Sequence, residues 1–270
     1  EFRGRGDEIH VLPLSFSEFY ASYQDDTNYA LDDYMIYGGL PAAALMKSSE
    51  QKMSYLKTQL KNLFIKDIVD RHHLGSDENL EELFDIIASG ISSLTNPTKL
   101  SNTFKSVKNV SLSAPTINNY INYMEEAFIV SKAKKYDVKG KKYIDTPYKI
   151  YFEETHLMEN IIYNELRYRG YNVDVGIIDI RENVNGSYER RQLEIDFVAN
   201  QGNKRYYIQS AFDIPNEDKM KQETKSFDKT NDSFKKIIIL GKSMRPRRTE
   251  KGYLLIGIKE FLLDPNSLDL

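Results

Sequence analysis

Two neighbouring runs in the last third of the sequence are Leu193-Glu-Ile-Asp-Phe-Val-Ala199 and Arg205-Tyr-Tyr-Ile-Gln-Ser210. The alternation of apolar and acidic residues in the first run predicts a strand, and Gln201-Gly-Asn supplies a tight turn into the second. The predicted strand has two faces, one formed by Ile195 and Phe197 and the other by Glu194, Asp196 and Val198. The two runs therefore predict an antiparallel pair at the centre of a sheet.

Outward from this pair, residues 153–270 predict a mixed sheet flanked by helices. The predicted elements are a helix over His156–Arg169 stopped by Gly170, a strand over Val173–Ile180, a polar loop over Arg181–Arg190, a helix around Glu217–Phe227 and a strand over Lys236–Gly241. The last of these is a continuous apolar run, which is typical of a strand buried on both faces.

The middle of the chain changes its apolar period from helical to extended. The predicted helices cover 80–91, 100–107 and 113–126, and the predicted strands cover 128–136 and 142–152. Ser113 is placed to cap the third helix, and a glycine at position 140 favours a hairpin turn between the strands. Three helices followed by a hairpin with lysines at its tip have the order of a winged helix-turn-helix domain, which we predict for residues 76–152.

The beginning of the chain predicts one short strand and then helices. Residues 10–14 form an apolar run that predicts the strand, and Ser15 with Glu18 is the pattern of a helix capping box. Apolar residues at spacings of three and four predict a short helix over Leu31–Tyr37 and a long amphipathic helix from Ser49 to Arg71. Residues 24–75 thus predict a helical segment.

Positive charge is concentrated in the middle of the chain, although the whole sequence has a formal net charge of −3. Residues 97–149 hold ten basic and four acidic side chains, an asymmetry typical of a nucleic-acid face. Asparagines on the outer face of a helix can read adenine edges, and lysines at a hairpin tip can meet phosphates. The predicted DNA-contacting residues are Thr116, Asn118, Asn119, Asn122, Lys139, Lys141 and Lys142.

Composition excludes several classes of function. The 270 residues include no cysteine, so disulfides, zinc–cysteine sites and thiol catalysis are excluded, and a reducing, cytoplasmic location is expected. No apolar run approaches the length of a membrane-spanning helix, so no membrane partner is expected. Gly241-Lys-Ser243 resembles the end of a phosphate loop, but a lysine at position 236 replaces the required first glycine. The sequence therefore predicts no nucleotide hydrolysis by this chain alone.

One arrangement in the last third resembles the PD-(D/E)XK nuclease plan, in which carboxylates hold a divalent cation and a lysine assists the attacking water. A helix supplies Glu159 and Glu165, and a strand supplies Asp196. The expected acid-x-lysine pair is replaced by Tyr207 and Gln209, so the site is degenerate. A cradle for Mg²⁺ or Mn²⁺ would use Asp196 and Glu165. A nuclease-like fold without the chemistry is the favoured interpretation.

The whole chain resembles the C-terminal part of the prokaryotic AAA+-type ATPases of the archaeal kind. The sequence motifs that carry this resemblance are Arg3-Gly-Arg5, Leu12-Pro-Leu-Ser-Phe-Ser-Glu18, Tyr34-x-x-Tyr-Gly-Gly-Leu-Pro41, Lys66-Asp-Ile68 with Arg71, Glu159-Asn160 with Glu165-Leu166, Arg169-Gly-Tyr171 and Glu194-Ile-Asp-Phe197. The resemblance implies a C-terminal domain of unknown function that combines winged-helix and nuclease-like parts. It also implies that the phosphate loop, and with it Mg-ATP, belongs to a longer parent protein.

The resulting prediction is an α+β or α/β multidomain chain. Its parts are the end of an ATPase core (1–23), a lid-like helical segment (24–75), the winged helix (76–152) and the nuclease-like domain (153–270). Arg5 would stand where an ATPase arginine can reach a neighbouring nucleotide, although a structural arginine fits equally well.

The leading functional prediction is an interaction and DNA-binding region of an AAA+ ATPase, without a cofactor of its own. Its predicted partners are double-stranded DNA, the missing N-terminal ATPase domain and further copies of the chain. Two alternatives stay open, a metal-dependent DNA nuclease and a protein-docking module that binds no nucleic acid.

Overall fold

The computed structural model describes residues 11–75, 78–153, 157–184 and 187–270. The helices are α1 (Phe16–Ser22), α2 (Ala30–Tyr37), α3 (Pro41–Ala44), α4 (Ser49–Thr58), α5 (Lys66–Arg71), α6 (Glu78–Ser89), α7 (Pro97–Lys108), α8 (Ala114–Glu126), α9 (Met158–Tyr168), α10 (Glu217–Thr224) and α11 (Ile258–Leu263). The strands are β1 (Val130–Asp137), β2 (Lys142–Phe152), β3 (Asn172–Val184), β4 (Ser187–Gln201), β5 (Lys204–Ala211), β6 (Lys235–Leu240), β7 (Arg247–Arg248) and β8 (Leu254–Gly257).

The first helix forms as predicted, but the strand before it does not. Ser15 caps α1 and completes a capping box with Glu18. Residues 11–14 carry no strand, and Val11 is 83% exposed. The backbone of Leu14 instead makes two isolated hydrogen bonds. Its N–H donates to Gly39 O at 2.8 Å, and its carbonyl oxygen accepts from the hydroxyl of Tyr34 at 2.9 Å. The apolar run is thus anchored to a loop, and no strand of the described residues pairs with it.

The long helix predicted from Ser49 is present but changes its winding midway. A π-helical segment over Gln59–Ile65 joins α4 to α5. The three segments follow one another without a break in the chain. The periodicity therefore predicted the extent of the helix but not this local change in hydrogen bonding.

Three helices and an antiparallel hairpin follow in the predicted order. The helices α6, α7 and α8 pack their apolar faces together with one face of β2, which contributes Tyr148, Ile150 and Phe152. Ser113 caps α8 as predicted. A short bridge between Thr95 and Tyr148 ties the segment before α7 to the outer side of the hairpin. The helices and the hairpin therefore share one apolar core.

The strands form one eight-stranded mixed sheet in the order β2-β1-β3-β4-β5-β6-β8-β7. The pairs β1–β3, β5–β6 and β6–β8 are parallel, and the others are antiparallel. One face of the sheet is covered by α9, α11 and α1, and residues of the α10 region cover the other. This confirms the predicted mixed α+β architecture. The predicted boundary at 152–153 stays a prediction, and the sheet runs across it because β1 pairs with β3.

A β-bulge in β4 overturns the predicted faces of the central strand. Asp174 pairs with Val198, but Gly176 pairs with Ile195, so two residues of β4 oppose one residue of β3. Ile195 and Val198 consequently lie in one core cluster, whereas Phe197 lies in the other. A Cβ at Gly176 would lie 2.8 Å from Val198 Cγ2, so glycine is required opposite the bulge. Bulges of this kind re-aim side chains, here that of Asp196.

Most of the polar loop predicted over Arg181–Arg190 is strand instead, because β3 extends to Val184 and β4 begins at Ser187. The pairing of β3 and β4 continues from Arg181 opposite Arg190 to Val184 opposite Ser187. Ion pairs replace apolar contacts along this ribbon, including Arg190 to Asp179 at 2.5 Å and Lys225 to Glu182 at 2.6 Å. Polar composition therefore marked an exposed ribbon rather than a loop.

Candidate functional site

A buried lysine surrounded by carboxylates lies where the hairpin, α9 and the central strand meet. The ammonium of Lys149 on β2 is 2.8 Å from Glu159 Oε1 on α9 and 2.7 Å from Glu194 Oε1 on β4. Asp196 Oδ1 lies 4.0 Å from the same nitrogen. Lys149 is 1% exposed. A lysine is rarely buried to this extent unless it is paired, so the three carboxylates account for its position.

The position of α9 is fixed by a buried amide one residue after Glu159. The side chain of Asn160 accepts from Phe152 N at 2.8 Å and donates to Phe152 O at 2.7 Å. Both bonds are made to the last residue of β2, so the start of α9 is held against the end of that strand. This places Glu159 over Lys149, three residues before Phe152 on β2. The hydroxyl of Tyr151 also donates to Glu159, at 2.6 Å.

Asp196 is held from the neighbouring strand. Its Oδ2 accepts from Ser210 N at 2.8 Å and from the Ser210 hydroxyl at 3.0 Å. Burial, together with the charge of Glu159, raises the pKa of Asp196 to about 7, although Lys149 and the bond from Ser210 act in the opposite direction. Asp196 is therefore a carboxyl group that can exchange a proton near neutral pH.

The charges of the cluster explain why Lys149 stays protonated. Burial alone would lower its pKa, but the carboxylates of Glu159, Asp196 and Glu194 outweigh burial and raise it. The ammonium thus sits among the carboxylates as their counter-ion. Among the residues that the structure describes, no group of three or more acidic or histidine side chains is arranged to hold a metal ion.

Glu165, predicted to join Asp196 in a metal cradle, is not part of this cluster. It lies six residues after Glu159 on α9 and pairs with Arg169 Nε at 2.6 Å. Burial raises the pKa of Glu165, while Arg169 partly offsets this effect. The helix therefore directs Glu159, and not Glu165, toward Lys149 and Asp196.

The structure also does not bring Tyr207 to Asp196. Tyr207 lies in the core cluster on the other face of the sheet, and its hydroxyl donates to Asp232 at 2.7 Å. Strand alternation gives Gln209 the same face as Tyr207, and its buried Oε1 has no hydrogen-bond partner among the described residues. Gln209 lies on the strand next to Asp196, as predicted, but the side chain beside that carboxylate is Ser210.

The predicted DNA-reading residues on α8 differ in their exposure. Asn119 is exposed, whereas Thr116, Asn118 and Asn122 are half-buried. The hydroxyl of Thr116 bonds the cap residue Ser113 at 2.8 Å, and Asn122 Oδ1 accepts from Lys132 at 2.8 Å. Asn119 is therefore the one of the four that is fully available to an external ligand.

The predicted phosphate-contacting lysines are exposed at the hairpin tip. Lys139, Lys141 and Lys142 form no ion pair in the described part of the chain, and Lys139 makes only a long bond of 3.5 Å to Asp179 O. Lys134, nearer the base of the hairpin, is in contrast paired with Asp145 at 3.0 Å. The tip thus carries three uncompensated positive charges. Arg5 lies outside the described residues.

The sequence contained one signal for Lys149, which was not among the predicted site residues. Lys149 interrupts the otherwise apolar and aromatic run Tyr148–Phe152, and a lysine inside a predicted buried strand calls for buried acidic partners. Those partners come from α9 and β4, so local sequence did not identify them.

Within the described residues, no helix combines the length and apolar character needed to cross a membrane. No solved structure matches the chain. An uncharacterized protein of Haemophilus influenzae is 33% identical over 280 residues, covering 96% of this chain and 66% of that protein. An uncharacterized protein of Methanocaldococcus jannaschii is 26% identical over 251 residues, covering 84% of this chain and 54% of that protein.

The chain therefore spans just under two thirds of the length of the first relative and about half of the second. A family model described as Domain of unknown function (DUF8612) matches residues 28–164, a range that contains the hairpin, Lys149 and Glu159. Since this match covers half of the sequence, the chain belongs to the DUF8612 family.

Proposed function

We propose that this chain is a DNA-binding region that does not cleave DNA, belonging to a longer ATPase of the AAA+ type. The observation that carries the proposal is the position of Lys149, whose ammonium fills the space between carboxylates that a nuclease would use for a metal ion. DNA binding is assigned to α8 and the hairpin tip. ATP binding is assigned to a part of the parent protein outside this sequence.

The absence of cleavage follows from charge. A nuclease of the PD-(D/E)XK plan needs carboxylates that are free to bind a divalent cation. Here Glu159 and Glu194 already contact an ammonium at hydrogen-bonding distance, and Asp196 is held by Ser210. A metal ion entering this space would have to take the carboxylates from Lys149, and a buried ammonium left without its partners costs several kcal/mol.

Support for DNA binding comes from the unit formed by α6, α7, α8 and the hairpin. Their order and common core are those expected of a winged helix-turn-helix, in which the third helix enters the major groove. The exposed Asn119 stands on this helix, and an asparagine can pair with the N6 and N7 edge of adenine. The three unpaired lysines of the tip can replace counterions on the phosphate backbone.

Fluorescence anisotropy with a DNA duplex tests this proposal. Replacing Lys139, Lys141 and Lys142 together by alanine should weaken binding on every sequence, because phosphate contacts carry little sequence information. The dependence of log K on log salt should also become shallower, by about 0.9 for each phosphate that the variant no longer neutralises.

A matched control removes the same charge elsewhere. Lys47, Lys57 and Lys66 are exposed in the acidic first part of the chain, and their replacement by alanine should leave affinity nearly unchanged. If both triple variants bind equally well, the hairpin tip is not a DNA contact. If the wild-type protein binds no duplex at low salt, the protein-docking alternative replaces this proposal.

A further inference from the structure

A second basic surface lies at the opposite edge of the sheet from the hairpin. A cleft of about 430 Å³ opens between α10 and the edge strand β7. Its walls include Met220, Lys221, Arg247, Arg248, Lys251 and Tyr253. The segment 242–251 supplies five basic side chains and one acidic side chain. The walls of the cleft thus carry more basic than acidic side chains, because four basic residues line it together with only Glu217 and Glu250.

Three arginines lie in the walls of this cleft or next to them, and two of the three lack carboxylate partners in the described part of the chain. Arg245 and Arg247 are exposed and form no ion pair there. The guanidinium of Arg248 donates to Gly252 O at 3.1 Å and to an oxygen of Leu270, the last residue of the sequence, at 2.8 Å. These two bonds orient the guanidinium group.

Some other surface cations of the protein are compensated by nearby carboxylates. Arg71 lies 2.5 Å from Asp67, and Lys251 in the wall of the same cleft lies 2.6 Å from Asp228. Arg245 and Arg247 have no such partner among the described residues, so together with Arg248 they form a local excess of positive charge. Guanidinium groups match phosphate with two parallel hydrogen bonds and are weakly hydrated, so they favour phosphate over bulk water more than ammonium groups do.

We propose that Arg245, Arg247 and Arg248 form a second contact for the phosphate backbone of DNA. This inference rests on the proposed function, since it assigns a further surface to the same ligand. The strand order places β7 seven strands away from β2, and neighbouring strands are about 4.8 Å apart. The two basic surfaces are therefore separated by up to about 34 Å along the sheet, a length comparable to one turn of duplex DNA.

Anisotropy with a duplex of about 25 base pairs, which is longer than the sheet is wide, tests this assignment. Replacing the three arginines together by alanine should lower affinity about tenfold and make the salt dependence shallower. Replacing them by lysine should restore part of the affinity, because the charge returns without the paired hydrogen bonds.

A second variant separates DNA binding from folding, because Arg248 donates a hydrogen bond to Leu270 and its replacement can also change stability. Arg245→Ala with Arg247→Ala removes only exposed side chains and should still weaken binding, with an unchanged melting temperature. If this variant and the triple alanine variant bind DNA with wild-type affinity while the hairpin-tip variant binds more weakly, this inference is overturned. The proposed function then stands. A wild-type protein that binds no duplex would overturn both.

Discussion

Replacement of Lys149 by methionine should lower the free energy of unfolding by about 3–5 kcal/mol at pH 7.5, the usual cost of removing one partner from a buried ion pair. Methionine approximates the length of the lysine stem, so the loss of packing is small. What remains is a group of carboxylates, from Glu159, Glu194 and Asp196, with no counter-ion. Urea unfolding at pH 7.5 measures the difference.

The effect should shrink as the solution becomes more acidic, because protonation removes the repulsion between the uncompensated carboxylates. Lys52→Met is a suitable control, since Lys52 is also buried but pairs with the single carboxylate of Asp33 at 3.4 Å. Its loss should cost less and change less with pH. A Lys149→Met variant as stable as wild type at pH 7.5 would show that the lysine does not hold the cluster together.

The second large effect is expected from Asp196→Asn. Because the pKa of Asp196 is raised to about 7 in the folded protein, from an ordinary value of 3.8, the folded state keeps a proton that the unfolded state releases. Stability from this group is therefore fully present below pH 4 and is lost as the pH rises through about 7. Asparagine does not ionise, and its side-chain oxygen can still accept from Ser210.

The variant should consequently gain stability relative to wild type as the pH rises from 4 to 8. The gain should amount to a few kcal/mol, since a tenfold change in acid strength corresponds to about 1.4 kcal/mol. Urea unfolding of both proteins across this range gives the difference directly.

Asp179→Asn provides a control of opposite sign. Hydrogen bonds from Arg190 and Gln192 lower the pKa of Asp179, so the ionised Asp179 stabilises the folded protein. The Asp179→Asn variant should therefore be slightly less stable than wild type at neutral pH, and this difference should shrink at acid pH. If the difference in unfolding free energy between Asp196→Asn and wild type does not change with pH, the raised pKa of Asp196 is contradicted.

Local signals predicted the helices and most strands well. The capping box of Ser15 and Glu18 and the cap at Ser113 depend on residues three apart, so the sequence contains the whole interaction. The hairpin after α8 was equally visible, because alternation and a glycine turn are local patterns. The strand predicted over residues 10–14 failed because a strand also needs a partner, and the sequence alone does not show one.

The site was harder to predict, because it depends on pairings between distant parts of the chain. The bulge at Asp196 is visible only when β4 is set against Gly176 on β3. Lys149 joins Glu194 across 45 residues of sequence. The assumption that Tyr207 and Gln209 face Asp196 failed because the bulge turns Asp196 to the opposite face of the sheet. Residue types therefore indicated a carboxylate site, but only the fold shows which residues share a face.

Incubation of the wild-type protein with single- and double-stranded DNA in Mg²⁺ or Mn²⁺ tests most directly whether the lysine–carboxylate cluster has lost nuclease chemistry. With Lys149 occupying the space among the carboxylates, we expect no cleavage above background with either metal, under conditions in which the same protein binds the duplex. Robust Mn²⁺-dependent cleavage that disappears in the Asp196→Ala variant would contradict this account and make the protein a nuclease.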